Sequence, residues 1–87
     1  MSLNLSILTP EGKAFEGEIE DVVAPGVQGS FAVLNSHAPL IAALEAGTVK
    51  VRQSQGQQQF KIDQGLLEVH DNDVAILADH VEQLPDE

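Results

Sequence analysis

Turn-forming residues recur along this chain at intervals too short to hold helices. They are Pro10-Glu11-Gly12, Pro25-Gly26, Asn35-Ser36, Ala46-Gly47, Gln55-Gly56, Gln64-Gly65 and Asp71-Asn72-Asp73. Glycine reaches positive φ at little cost, and Asn and Asp side chains bond their own backbone in turns. Regular punctuation of this kind predicts many short strands. The intervening segments agree, because their apolar residues alternate. Leu3, Leu5 and Ile7 are interleaved with Asn4 and Ser6, Val49 and Val51 with Lys50 and Arg52, and Phe60 and Ile62 with Gln59 and Lys61. A period of two sends each apolar set to one side of a sheet.

From Gly47 to Asp79 the pattern predicts four strands joined by tight turns, a meander, preceded by strands near residues 3–8, 18–24 and 30–34. The unbroken run Val74-Ala75-Ile76-Leu77-Ala78 predicts a strand covered on both faces. Pro39–Ala46 has helical composition but is too short for a stable helix. It reads as a turn followed by a short strand. Gln53–Gln59 reads as a polar hairpin tip, and neither repeat nor linker is evident. With 87 residues, the chain is expected to be one domain over 1–87. The expected fold is an all-β antiparallel β-sandwich, or flattened barrel, of about eight to ten short strands. Its core would draw on Phe15, Phe31, Phe60 and the aliphatic residues.

Charge narrows the function. Four Lys and Arg stand against 14 Asp and Glu, a net charge of −10. Lys13, Lys50, Arg52 and Lys61 are scattered and make no basic stripe for a phosphate backbone, so nucleic acid is not expected as a partner. An anionic lipid surface would repel the domain, and the longest apolar run, Leu40–Leu44, falls far short of a membrane span, so no direct lipid insertion is expected. Residues 68–87 carry seven acids and no Lys or Arg, a solvated face or one drawn to a basic protein. No cysteine is present, which excludes disulfides and thiolate metal sites. Without a signal-peptide pattern, the default compartment is cytosolic.

Candidate chemistry is sparse. Ser36 and His37 are adjacent, and neighbours on an extended chain point apart, so they make no nucleophile–base pair. His70, Asp71, Asp73, Asp79 and His80 suggest a metal cluster, yet Asp71-Asn72-Asp73 lacks the later ligands of a calcium loop and reads better as a hairpin turn. Gly26 and Gly29 flank Val27-Gln28, with no following Gly-Lys-Ser/Thr, so nucleotide binding is not expected. A lipoyl or biotinyl carrier would present its lysine at a hairpin tip, whereas Lys50 and Lys61 lie within strands.

Three stretches together resemble one family. Residues 7–17 (ILTPEGKAFEG), 22–40 (VVAPGVQGSFAVLNSHAPL) and 65–79 (GLLEVHDNDVAILAD) are similar to the opening turn, signature loop and last hairpin of the ATP synthase epsilon subunit family. The resemblance implies a ten-stranded β-sandwich and a non-catalytic rotor subunit of the central stalk, present in one copy per complex. Such a subunit binds the gamma subunit and the c-ring and couples proton-driven rotation to ATP synthesis. No cofactor and no metal are expected. Its expected location is the periphery of the energy-coupling membrane, on the cytoplasmic side in a bacterium.

Carried over by position, the interface with gamma and the c-ring would comprise Gln28, Ser30, Ser36, His37, Ala38, Pro39 and Leu40. Ser30 stands where the family often has an acid, which weakens the expectation of a salt bridge to the ring. Asn35-Ser36 replaces a common Pro-Gly, which should loosen that turn. Many members continue into a helical hairpin that restrains ATP hydrolysis. This sequence stops at Leu84-Pro85-Asp86-Glu87, so a coupling subunit without that brake is expected. The alternative outside the family is a generic acidic β-sandwich adaptor for another protein.

Overall fold

The computed structural model describes residues 3–85. Ten strands run through them: β1 (Leu3–Thr9), β2 (Gly12–Ile19), β3 (Asp21–Gly26), β4 (Gly29–Leu34), β5 (Leu40–Leu44), β6 (Gly47–Gln53), β7 (Gly56–Ile62), β8 (Gly65–His70), β9 (Asp73–Ala78) and β10 (Val81–Leu84). The strand order is β10-β7-β6-β3-β5-β8-β9-β1-β2, with β4 on β3. β3 meets β5 through one register pair, Gly26 with Leu44. That narrow junction divides the strands into two layers whose apolar faces meet.

Alternation builds the core. Leu3, Leu5 and Ile7 of β1, Val49 and Val51 of β6, Phe60 and Ile62 of β7, Leu67 and Val69 of β8, and Val74 and Ile76 of β9 are all buried in one cluster. Phe60 is the largest fully buried side chain, and its ring meets that of Phe15 edge to face at 5.5 Å. Phe15 and Phe31 are only half-buried and pack against the margin of the core.

The β-sandwich is as the sequence predicts, with five differences. β10 (Val81–Leu84) forms where the residue pattern predicts no strand. The strand expected near 18–24 is two: β2 ends at Ile19 and β3 begins at Asp21, so the chain turns a corner at Glu20. The meander is two separate hairpins, because β7 pairs with β6 and β10 while β8 pairs with β5 and β9. One pairing is parallel, β1 with β9, because the chain crosses the sandwich between them. Finally, β9 is covered on one face alone: Val74, Ile76 and Ala78 are buried, whereas Leu77 is 45% exposed.

Glutamines close the sandwich along its polar margin. Gln83 Nε2 donates to Gln58 Oε1 at 2.8 Å, Gln58 Nε2 to Gln53 Oε1 at 2.6 Å, and Gln53 Nε2 to the Glu18 carbonyl at 3.0 Å. The ladder spans β10, β7, β6 and β2, so part of the Gln-rich stretch is a cross-strand clasp rather than a bare tip. Replacing Gln58 by alanine removes two of the three hydrogen bonds of the ladder and should cost about 1 kcal/mol. Thermal unfolding would register this as a loss of about 4–8 °C.

Candidate protein-docking site

The signature loop begins as a two-residue hairpin. Gly26 pairs with Gly29 across the Val27-Gln28 turn. Gly29 sits at φ +127, a conformation that L side chains rarely adopt. Gly26 is required for space: a Cβ there would lie 2.7 Å from the Gly29 carbonyl oxygen and 2.8 Å from the Phe31 ring. Gly26→Ala should push Phe31 or the turn aside at a cost of about 1–3 kcal/mol, read as a lowered denaturant midpoint. The hairpin tip is tied to β5 by Val27 N–H to the Ala43 carbonyl, 3.1 Å, and by Glu45 N–H to the Pro25 carbonyl, 2.9 Å.

Between β4 and β5 the chain turns at Asn35-Ser36 and runs irregularly to Leu40. The His37 N–H closes the turn on the Leu34 carbonyl at 3.2 Å. Ser36 takes φ 67, a left-handed conformation that costs a non-glycine residue about 1–2 kcal/mol. His37 is half-buried, and its Nδ1 lies 2.7 Å from the Ala38 carbonyl oxygen. A carbonyl only accepts, so the proton resides on Nδ1, and in the neutral ring Nε2 is an acceptor. The ring nitrogen nearest the backbone is thereby committed to Ala38, not to Ser36.

Four of the residues expected at the interface come together. Gln28, Ser30, His37 and Leu40 line one open depression of about 670 Å³. Ser30 is exposed on β4, and Leu40 is half-buried at the start of β5, packed against the core. Ser36, Ala38 and Pro39 lie outside the depression, exposed on the loop.

A second element of the site is absent from the sequence expectations. On the outer face of the β5-β8-β9-β1 layer, register aligns Ala43 with Leu66, Leu66 with Leu77, and Leu77 with Leu8. Val27 extends this row from the hairpin tip through its bond to Ala43. Val27 is 55% exposed, Leu66 42% and Leu77 45%, with Ile41 beside them at 67%. The row borders an open depression of about 650 Å³ that shares Val27 and Ala43 with the loop depression, so the two form one continuous surface. Contiguous exposed apolar area of this kind marks an interaction site. Its sequence signal was the doubling of apolar residues at Leu66-Leu67 and Ile76-Leu77, which breaks the alternation.

The remaining candidates take other roles. Asp71 and Asn72 form the β8–β9 turn, both left-handed, with φ 50 and 64. His70 Nδ1 lies 3.2 Å from Asp71 Oδ2 on an exposed edge. Asp63 Oδ1 accepts the N–H groups of Gln64, at 2.8 Å, and of His80, at 3.3 Å. The Gln64 amide chiefly, with His80 adding less, holds the Asp63 carboxyl below its ordinary range. Among the described residues, no three His, Asp or Glu side chains are grouped to hold a metal ion.

Residues 2–84 match the family described as the β-sandwich domain of the ATP synthase delta/epsilon chain. An ATP synthase epsilon chain of Leptospira borgpetersenii is 40% identical over 78 residues, covering 90% of this chain and 61% of its own length. One from Moorella thermoacetica is 43% identical over 83 residues, covering 94% of this chain and 62% of its own length. The chain thus spans about three-fifths of these curated relatives. Among solved structures, a chain of the Euglena gracilis mitochondrial ATP synthase OSCP/F1/c-ring assembly superposes with a TM-score of 0.88 at 19% identity, over 94% of this chain and 53% of that one. A chain of the Tetrahymena thermophila mitochondrial ATP synthase central stalk/c-ring gives 0.79 at 20% identity, over 94% and 66%. These two likenesses establish the shared fold.

Proposed function

Since the chain belongs to the ATP synthase delta/epsilon family through its β-sandwich domain, we propose that it is a non-catalytic docking domain of the rotor. In this role it joins the gamma subunit to the c-ring, one copy per complex, and helps to couple proton-driven rotation to ATP synthesis. It would sit at the periphery of the energy-coupling membrane, on the cytoplasmic side in a bacterium. The observation that carries this reading is the apolar row from Val27 to Leu8, continuous with the loop depression around His37.

The two parts of the surface suit different contacts. The row offers apolar area to gamma, with hydrophobic burial as its driving force. The exposed, polar loop residues Gln28, Ser30 and Ser36 suit hydrogen bonding to the polar loops of the ring. Ser30 carries no charge and contributes a hydroxyl, not a salt bridge. The net charge of −10 suits a basic gamma surface. That attraction speeds encounter more than it deepens affinity, so association should slow as salt rises.

Co-elution with recombinant gamma tests the reading. The expected result is a one-to-one complex that weakens by about tenfold or more when His37 is replaced by glutamate or Leu40 by aspartate. A folded chain that fails to co-elute at micromolar concentration would overturn it.

A further inference from the structure

The segment from Asn35 to Pro39 crosses from one layer of the sandwich to the other. At its start Leu34 pairs with Asp21 of β3, and at its end Leu40 pairs with Val69 of β8. Between these anchors the segment joins no ladder. The His37 N–H bond to Leu34 and the His37 ring bond to Ala38 are both local. Among the described residues, one hydrogen bond reaches this segment from elsewhere in the chain. Asn72 Oδ1 accepts the Ser36 N–H at 2.9 Å, across a separation of 36 residues.

Asn72 is itself firmly placed. It lies in the tight β8–β9 turn at φ 64, and its carbonyl accepts the Asn4 N–H at 2.9 Å, which ties the turn to the start of β1. The side chain is therefore presented from a fixed backbone. Its target is the residue that pays most for its conformation, because Ser36 is non-glycine at φ 67. Asparagine suits both demands: it tolerates the left-handed region, and its short side chain carries an acceptor.

We propose that Asn72 is the positioning residue of the docking loop, a latch that holds Ser36 in its left-handed turn and so places His37 and Leu40 on the docking surface. The proposal rests on the docking reading above for its functional half. The latch itself stands on the hydrogen bond and the two left-handed residues. It also accounts for a left-handed turn that holds with serine, not glycine, at position 36.

Two variants separate the side chain from the backbone it sits on. Asn72→Gly preserves a turn with positive φ, and Asp-Gly is a favoured pair for such hairpins, but the acceptor is lost. Asn72→Asp preserves an acceptor at the same place. Two readings are taken on each variant: amide hydrogen exchange at Ser36 by NMR, and affinity for recombinant gamma. In Asn72→Gly the Ser36 amide is expected to exchange about tenfold faster, with amides of β1 and β8 unchanged, and gamma affinity to fall several-fold. Asn72→Asp is expected to retain both properties.

Unchanged Ser36 exchange in Asn72→Gly would overturn the latch, as would an Asn72→Asp variant that loses as much protection as Asn72→Gly. Faster exchange with unaltered gamma affinity would overturn the functional half. A wild-type chain that fails to bind gamma would count against the docking reading alone, since Ser36 exchange still decides the latch.

Discussion

Leu77→Lys is expected to reduce gamma binding by about 30-fold or more while the fold persists. Leu77 lies within the apolar row, between Leu66 and Leu8, and is 45% exposed. Its side chain points away from the core, so replacement leaves the packing of Val74 and Ile76 intact. At the centre of an interface a buried large side chain commonly contributes about 2 kcal/mol or more, and a lysine there would have to be desolvated without a partner. The net charge becomes less negative, which by itself would ease approach to a basic surface. Loss of binding would therefore report the apolar contact and not the overall charge. Affinity measured by titration, with circular dichroism and thermal melting as controls, checks this. Binding equal to that of the unaltered chain would remove the row from the interface.

Phe60→Ala should act in the opposite way, through the fold. Phe60 is 1% exposed, belongs to the core and contacts Phe15 edge to face. Removing a buried phenylalanine costs about 3–5 kcal/mol, part of it for the cavity left behind. Whole domains are stable by only about 5–15 kcal/mol, and a small one lies toward the lower end. The variant is expected to melt about 15 °C or more below the parent. Its gamma binding should recover on cooling, as the folded fraction rises. A change of only a few degrees would mean that the core closes over the vacancy.

Much of the fold was legible because several strands obey one local rule. Alternation along β1, β6, β7 and β8 identifies the core residues, and Gly, Asn and Pro mark the turns. What local rules do not encode is which strand lies beside which. Hairpin contacts are close in sequence, whereas the parallel β1–β9 pair and the separation of β7 from β8 depend on how the two layers are stacked. β2 was obscured because its outward residues are polar and its inward ones include Gly17, leaving few apolar residues to reveal a period.

The site was legible in one half. The signature loop stands out through Gly26, Gly29 and His37-Ala38-Pro39-Leu40. The apolar row does not, because Val27, Ala43, Leu66, Leu77 and Leu8 come from five separate segments and meet only once register is set. The run Val74–Ala78 predicts cover on both faces, and the exposed Leu77 corrects this: within this domain the strand is covered on one face alone. A partner lying on that face would resolve the discrepancy.

Isothermal titration of the chain with purified gamma, repeated at several temperatures, tests this most directly. The expected result is one-to-one binding with a dissociation constant of about 1 μM or tighter. The heat-capacity change should be negative, from apolar surface leaving water, and should shrink in Leu77→Lys. Absence of binding by a chain that is folded at every temperature, or one-to-one binding with no heat-capacity change, would contradict an apolar docking face for gamma.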